Sequence, residues 1–264
     1  MNIHFTNKKL FEDLCKATLF RAKIGSHAYG LNDSESDIDF LNIYVPSENE
    51  RNSFSFTHHQ FQYKEDNIDY IFVSLPNFLR NALNGDSTIN FEVINCQDIK
   101  NSSLDFLYDL RGAFNNYPII RAYLGFAKRD LKHVHQGPDD REKNKRLVHA
   151  LRGYYFAKTI YENKFTNILP DEKLQEIKSL KLITDYKLRD EKIKEIGEMV
   201  EKFRTLVNSE LDKGSLVRFM KPENQKVLDN KLNRLYQTNE YLDSSGHIID
   251  MTMIYDANEN GVKY

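Results

Sequence analysis

Along the first half of the chain the apolar positions switch between two periods. Residues 7–18 set Leu10, Phe11, Leu14 and Cys15 on one side at helical spacing, which predicts an amphipathic helix. Apolar runs come next at 19–24 (LFRAKI), 37–45 (DIDFLNIYV) and 67–73 (NIDYIFV), and each reads as a strand. Residues 53–57 and 60–64 fit the two arms of a hairpin, with His58 and His59 in its turn. Pro76 opens a helix (LPNFLRNAL) that Gly85 ends. From residue 118 the period is helical almost throughout, with helices predicted over 119–134, 140–163, 171–180, 189–211 and 223–241. The loop HQGPDD separates the first two, and Asp139 or Asp140 caps the second. An α/β half therefore precedes an all-α half. The expected division is residues 1–116, 117–250 and a tail over 251–264.

Composition narrows the class. A chain of 264 residues suits one large domain or two small ones. Charged residues make up 29%, and no run approaches 18 apolar residues, so no transmembrane helix is expected. The opening MNIHFTNKKLFEDL lacks an apolar core of the secretory type. Cys15 and Cys96, the two cysteines, are far apart and match no metal-ligand spacing, so a reducing cytosolic setting is expected. The fifteen Tyr and seventeen Phe read mainly as packing residues.

Net charge is −2, which argues against a large nucleic-acid footprint. The charge is not even, however. Residues 117–165 hold 11 Lys and Arg against 5 Asp and Glu, so this segment is +6 and the remainder −8. That asymmetry suits an anionic ligand, and it equally suits a solvated helical face.

The sharpest chemical signal is GSHAYGLNDSESDIDF, residues 25–40. In a strand, positions i and i+2 share a face, so Asp37 and Asp39 point the same way while Ile38 and Phe40 turn to the core. Asp69, inside the apolar run NIDYIFV, is out of place unless it faces that pair across a sheet. Three converging carboxylates suit hard divalent cations, Mg2+ or Mn2+, and can hold two of them for an in-line displacement. Gly25 and Ser26 lie where a strand turns into a short helix, a place that offers free N–H groups to a phosphate. Ser36 either holds the intervening loop or touches a phosphate. His27 receives no catalytic role. A bare DxD or GS is weak; their order and context together carry the reading.

GSHAYG with SDIDF, then IDY, then NGDSTINFEVIN and RLVHALRGYYFA, resembles the DNA polymerase β-like nucleotidyltransferase superfamily. Within it the chain is most similar to the RNA-repair-associated, RlaP-like and YcgL-like nucleotidyltransferases. The likeness covers residues 19 to about 160 and is sharpest over 24–45. Glu92 matches a Glu that closes a small-polar segment in that group, and His149 with Arg152 matches its His-x-x-Arg helix. One departure is clear: the group often carries an Arg soon after the second Asp, where this chain has Phe40, Leu41 and Asn42. The resemblance implies an α+β fold, a small mixed sheet with flanking helices and then an all-α region. It also implies transfer of a nucleoside monophosphate from an NTP to an acceptor hydroxyl, with release of pyrophosphate. Asp37 and Asp39 would ligate both ions. Asp69 would ligate the catalytic ion and take the acceptor's proton, while Gly25 and Ser26 would hold the β and γ phosphates. An RNA end, such as a tRNA 3′ end, is the favoured acceptor.

On the helix over 140–163, Lys145, His149, Arg152 and Phe156 fall at i, i+4, i+7 and i+11 and share a face. Three such donors beside an aromatic ring suit gripping a triphosphate and stacking a base; an exposed basic face is the bland alternative. Glu92 reads as structural, and His133 and His135 as surface residues. Two other functions stay open: transfer to a small molecule or a protein, and a catalytically silent nucleotide- or partner-binding module of toxin–antitoxin type.

Overall fold

The structure is a computed structural model that describes residues 2–46, 60–86, 88–114, 117–164, 168–214, 216 and 219–238. The expected strand over 53–57, the turn at His58 and His59 and the tail 251–264 lie outside these residues. The fold is α+β: a small mixed sheet with flanking helices, then an all-helical C-terminal region.

The chain forms two compact units. The first comprises 1–81, 96–110 and the segment from 222 onward; the second comprises 82–95 and 111–221.

In the first unit five strands make one sheet: β1 (Asn2–His4), β2 (Thr18–Ile24), β3 (Ile38–Tyr44), β4 (Gln60–Glu65) and β5 (Ile68–Ser74), in the order β1-β4-β5-β3-β2. Pairing of β3 with β5 is parallel, as is β1 with β4; the other two pairings are antiparallel. Helix α1 (Lys8–Lys16) starts where Asn7 accepts the Leu10 N–H at 3.1 Å. Its Leu10 and Leu14 join Tyr44, Phe61, Tyr63 and Phe72 in a buried cluster, with Phe11 stacked on Tyr63 at 4.3 Å. By strand alternation these sheet residues all lie on one face, so the carboxylate face is the other. Helices α2 (Gly25–Ala28) and α3 (Leu75–Asn84) come directly after β2 and β5.

The second unit is built on four long helices: α7 (Tyr117–Lys132), α8 (Asp140–Tyr161), α9 (Asp171–Leu180) and α10 (Tyr186–Asp212). Helix α8 packs against the other three. The cap of α8 is Asp139, which accepts the Glu142 N–H at 2.8 Å. Arg189, only 2% exposed, donates to Asp140, Asn144 and the Ile183 carbonyl, so a buried guanidinium joins the starts of α8 and α10. At Gly85, φ is +71° and a β-carbon would come within 2.5 Å of the Pro118 carbonyl oxygen, so a helix C-terminus and the start of α7 meet over a glycine. Shorter helices are α4 (Thr88–Ile94), α5 (Asp105–Asp109) and α6 (Arg111–Phe114); α11 (Pro222–Thr238) belongs to the first unit. Among the described residues no helix is long and apolar enough to cross a membrane.

Candidate active site

The parallel register of β3 and β5 sets Asp39 directly opposite Asp69. Asp37 stands one residue before β3, two positions from Asp39. The structure thus places the three carboxylates that the sequence singles out at one end of the sheet. Their mutual influence shows in Asp39, whose carboxyl is pushed above its usual range by partial burial, then by Asp69 and by Asp37. The Asp69 side chain is 18% exposed, and its Oδ1 is buried with no hydrogen-bond partner.

A buried carboxylate oxygen left without a donor is costly, and three oxygen-rich side chains at one sheet end fit a hard divalent cation. Among the described residues no group of three or more His, Cys, Asp and Glu is gathered as a ready metal cage. The positive charge at this spot is an ammonium. Lys64 Nζ lies 3.4 Å from Asp37 Oδ2 and 3.8 Å from Asp69 Oδ2. It gets there because β4 pairs Lys64 with Asp69.

Gly25 closes the site from β2. Its φ is +68°, and a β-carbon there would lie 2.4 Å from Asp39 Oδ2. Backbone and carboxylate can be this close only because residue 25 has no side chain. Ser26 comes next in α2, and its carbonyl accepts the Leu31 N–H at 2.9 Å. The Ser36 hydroxyl is engaged within its own loop: it donates to Asp33 Oδ1 at 2.9 Å and accepts the Asp33 N–H at 2.9 Å. His27 Nε2 sits 3.2 Å from the Ser36 carbonyl oxygen and so latches the loop to α2. Of the two roles open to Ser36, loop support has these bonds behind it.

The sheet face opposite the carboxylates accounts for Phe40 and Asn42. Phe40 stacks on Tyr70 at 5.8 Å, and the Arg21 guanidinium lies over both rings at 5.7 and 5.6 Å. Arg21 Nε also donates to Asn42 Oδ1 at 2.6 Å. The arginine on this stretch of sheet therefore comes from β2, and it serves the α1 side rather than the carboxylates.

In the second unit, Lys145, His149 and Arg152 are brought together with two further arginines, Arg129 and Arg146. Burial and the charges of Arg152, Lys145, Arg129 and Arg146 push the His149 imidazole down to about 3, so the ring is neutral at neutral pH. Its Nδ1 is 3.8 Å from Asp130 Oδ2, and Arg129 donates to the other oxygen of that carboxylate at 3.2 Å. Lys145 faces Glu142 at 3.5 Å. Glu92, 5% exposed, accepts the Tyr123 hydroxyl at 2.6 Å and feels the charge of Arg152. Burial still drives its carboxyl up. Phe156 differs from expectation: it is 2% exposed and packs on Tyr123 at 5.8 Å, so its ring is unavailable to a base. His133 bonds Gln136 and His135 pairs with Asp190 at the surface.

Arg146 could have been suspected from its place beside Lys145, but Arg129 sits one helix earlier and no spacing links it to His149. Lys64 required the β4–β5 register.

A family model described as the RNA repair pathway DNA polymerase beta family (RlaP) matches residues 6–238. No curated protein and no solved structure matches the chain. The matched span contains the GS turn, the in-register aspartates and the His149–Arg152 helix alike, and the chain belongs to this family of polymerase β-like nucleotidyltransferases.

Proposed function

We propose that the protein transfers a nucleoside monophosphate from an NTP to an acceptor hydroxyl, with pyrophosphate as the other product. The observation that carries this reading is the in-register placement of Asp39 and Asp69 with Asp37 beside them, against a glycine whose missing side chain leaves room for the Asp39 carboxylate. Asp37, Asp39 and Asp69 would hold Mg2+ or Mn2+, two ions in the full complex. Such ions, when bound, neutralise the phosphate oxygens and activate the attacking hydroxyl.

The chain's own residues divide the remaining work. Asp69, enclosed and with one oxygen unsatisfied, is the base best placed to draw the proton from the acceptor hydroxyl. Gly25 and Ser26 present the first N–H groups of α2, and the Ser26 hydroxyl, to the β and γ phosphates. His27 and Ser36 keep the loop before β3 in place. Within the second unit, Lys145 and Arg152 offer charge to an anionic group; His149, being neutral, offers a hydrogen bond rather than a charge. An RNA end is the favoured acceptor, supported by the family description and by the basic segment over 117–165.

The test is incubation with each α-labelled NTP, Mg2+ or Mn2+, and total RNA, alongside Asp37→Asn. Label entering RNA with the unmutated protein alone supports transfer to RNA and names the base. Label on the protein, or pyrophosphate released without labelled RNA, moves the acceptor elsewhere. Nucleotide binding with no turnover for any NTP overturns the enzyme reading.

A further inference from the structure

In β4 the sequence QFQYKE alternates: Phe61 and Tyr63 enter the core, while Gln60, Gln62 and Lys64 share the carboxylate face. Lys64 is the residue of that row directly opposite Asp69, and its side chain leans far enough to reach Asp37 as well. One ammonium therefore answers two carboxylates, one in β5 and one at the entry to β3. The contact is loose. The Lys64 side chain is 55% exposed, and the nitrogen–oxygen distances are 3.4 and 3.8 Å, beyond a short charge-assisted bond. Exposed pairs of this kind are weak and easily exchanged. A lysine also carries its charge on a flexible four-carbon stem, so it can withdraw without disturbing the strand that bears it.

We infer that Lys64 is an internal counter-ion that occupies the cation position of the carboxylate site and withdraws when a divalent ion enters, so that this one side chain sets how tightly the site takes up metal. The inference rests on the reading of Asp37, Asp39 and Asp69 as ion ligands. Without a cation, the three carboxylates would repel one another across the sheet end, and Lys64 reduces that repulsion. With a doubly charged ion between them, the same ammonium is a like charge in the same place and is driven out toward solvent. The cost of breaking its two contacts is subtracted from the affinity for the ion. Lys64 is thus a positioning residue, acting on the ligands and not on the reacting atoms.

The experiment uses the full chain and no nucleotide. Mg2+, and in parallel Mn2+, is titrated calorimetrically into the unmutated protein, Lys64→Gln, Lys64→Arg and Asp39→Asn, and melting temperatures are taken with and without the ion. Lys64→Gln is expected to bind Mg2+ roughly three- to tenfold more tightly, the factor set by two weak exposed ion pairs. Its metal-free form is expected to melt below the unmutated protein, with the gap closing once Mg2+ is added. Lys64→Arg keeps the charge and should stay within about twofold of the unmutated affinity or fall below it. Unchanged or weaker Mg2+ binding in Lys64→Gln, with binding still lost in Asp39→Asn, overturns the role of Lys64 and leaves the ion site standing. Equal binding by the unmutated protein and Asp39→Asn, or none by either, overturns the ion-site reading and this inference together. Position 64 is exposed and neighbours two glutamines on its face, so Lys64→Gln is expected to fold; a metal-free circular dichroism spectrum checks it.

Discussion

Gly25 and Asp39 share a space that no other residue at position 25 would leave: a β-carbon would stand 2.4 Å from the aspartate's Oδ2. The turn out of β2 and the second acid of the DxD are therefore one device. Gly25→Ala meets both an unfavourable φ and this contact. The left-handed conformation alone costs about 1–2 kcal/mol. The variant should melt several degrees lower and lose nucleotidyl transfer; a thermal melt and the labelling assay, run together, check both.

Asp39 gives a prediction in which stability and activity part. Its carboxyl is raised by burial and by Asp69 and Asp37. A raised folded-state value means that its contribution to stability is full below the unfolded value of 3.8 and is lost as pH rises through the folded one. At neutral pH the charged group is thus a burden on the metal-free fold. Asp39→Asn should melt at or above the unmutated protein at pH 7, with the difference shrinking toward pH 3. The same variant should lose transfer by roughly a hundredfold or more. A variant that melts far lower at pH 7 would contradict the crowding of these acids.

His149 behaves in the opposite sense. The unfolded chain takes up its proton below about 6.5, whereas the folded ring does so only near 3. Stability is therefore unaffected above 6.5 and is lost progressively as pH falls from there toward 3. His149→Gln removes this loss, so its melting temperature should fall less steeply between pH 7 and pH 4 than that of the unmutated protein. Because the ring is 41% exposed at its side chain, the effect should be modest. At pH 7 the substitution should weaken phosphate binding less than Arg152→Gln does, since only the latter removes a charge.

Tyr123→Phe probes Glu92, a buried acid of the second unit. It deletes the hydroxyl that donates to Glu92 at 2.6 Å and leaves a carboxyl that is 5% exposed. The expected cost is about 1–3 kcal/mol, the loss of a hydrogen bond to a buried acidic group. Chemical denaturation measures it, and Glu92→Gln combined with Tyr123→Phe should recover part of the loss by removing the buried charge.

The strands with the carboxylates could be read in advance because burial on one sheet face imposes period two. Asp37 and Asp39 interrupt that rhythm together, and Asp69 interrupts it alone. Helix α4 escaped the same reading for a physical reason. Thr88, Asn90, Phe91, Glu92, Val93 and Ile94 are all buried, and a helix enclosed on every side has no polar stripe to reveal its period. Strand β1 has three residues, too few for any periodicity. Phe156 fell on the basic stripe of α8 by spacing, but that helix is packed by neighbours on several sides, so spacing alone did not fix which positions reach water. Lys64 lies beyond single-strand reasoning altogether, because its importance comes from a cross-strand partner.

The first unit is assembled from three separated stretches of chain, with 222 onward joining 1–81 and 96–110. During synthesis the sheet and its acids leave the ribosome long before α11 does, and the second unit is made in between. All five strands precede residue 75, so the sheet has its strands long before the segment from 222 onward emerges, more than a hundred residues after residue 110. Closing so long an interval is entropically mild but kinetically late. Shortening the gene at residue 221 would therefore remove the first unit's last helix while leaving all five of its strands in the chain.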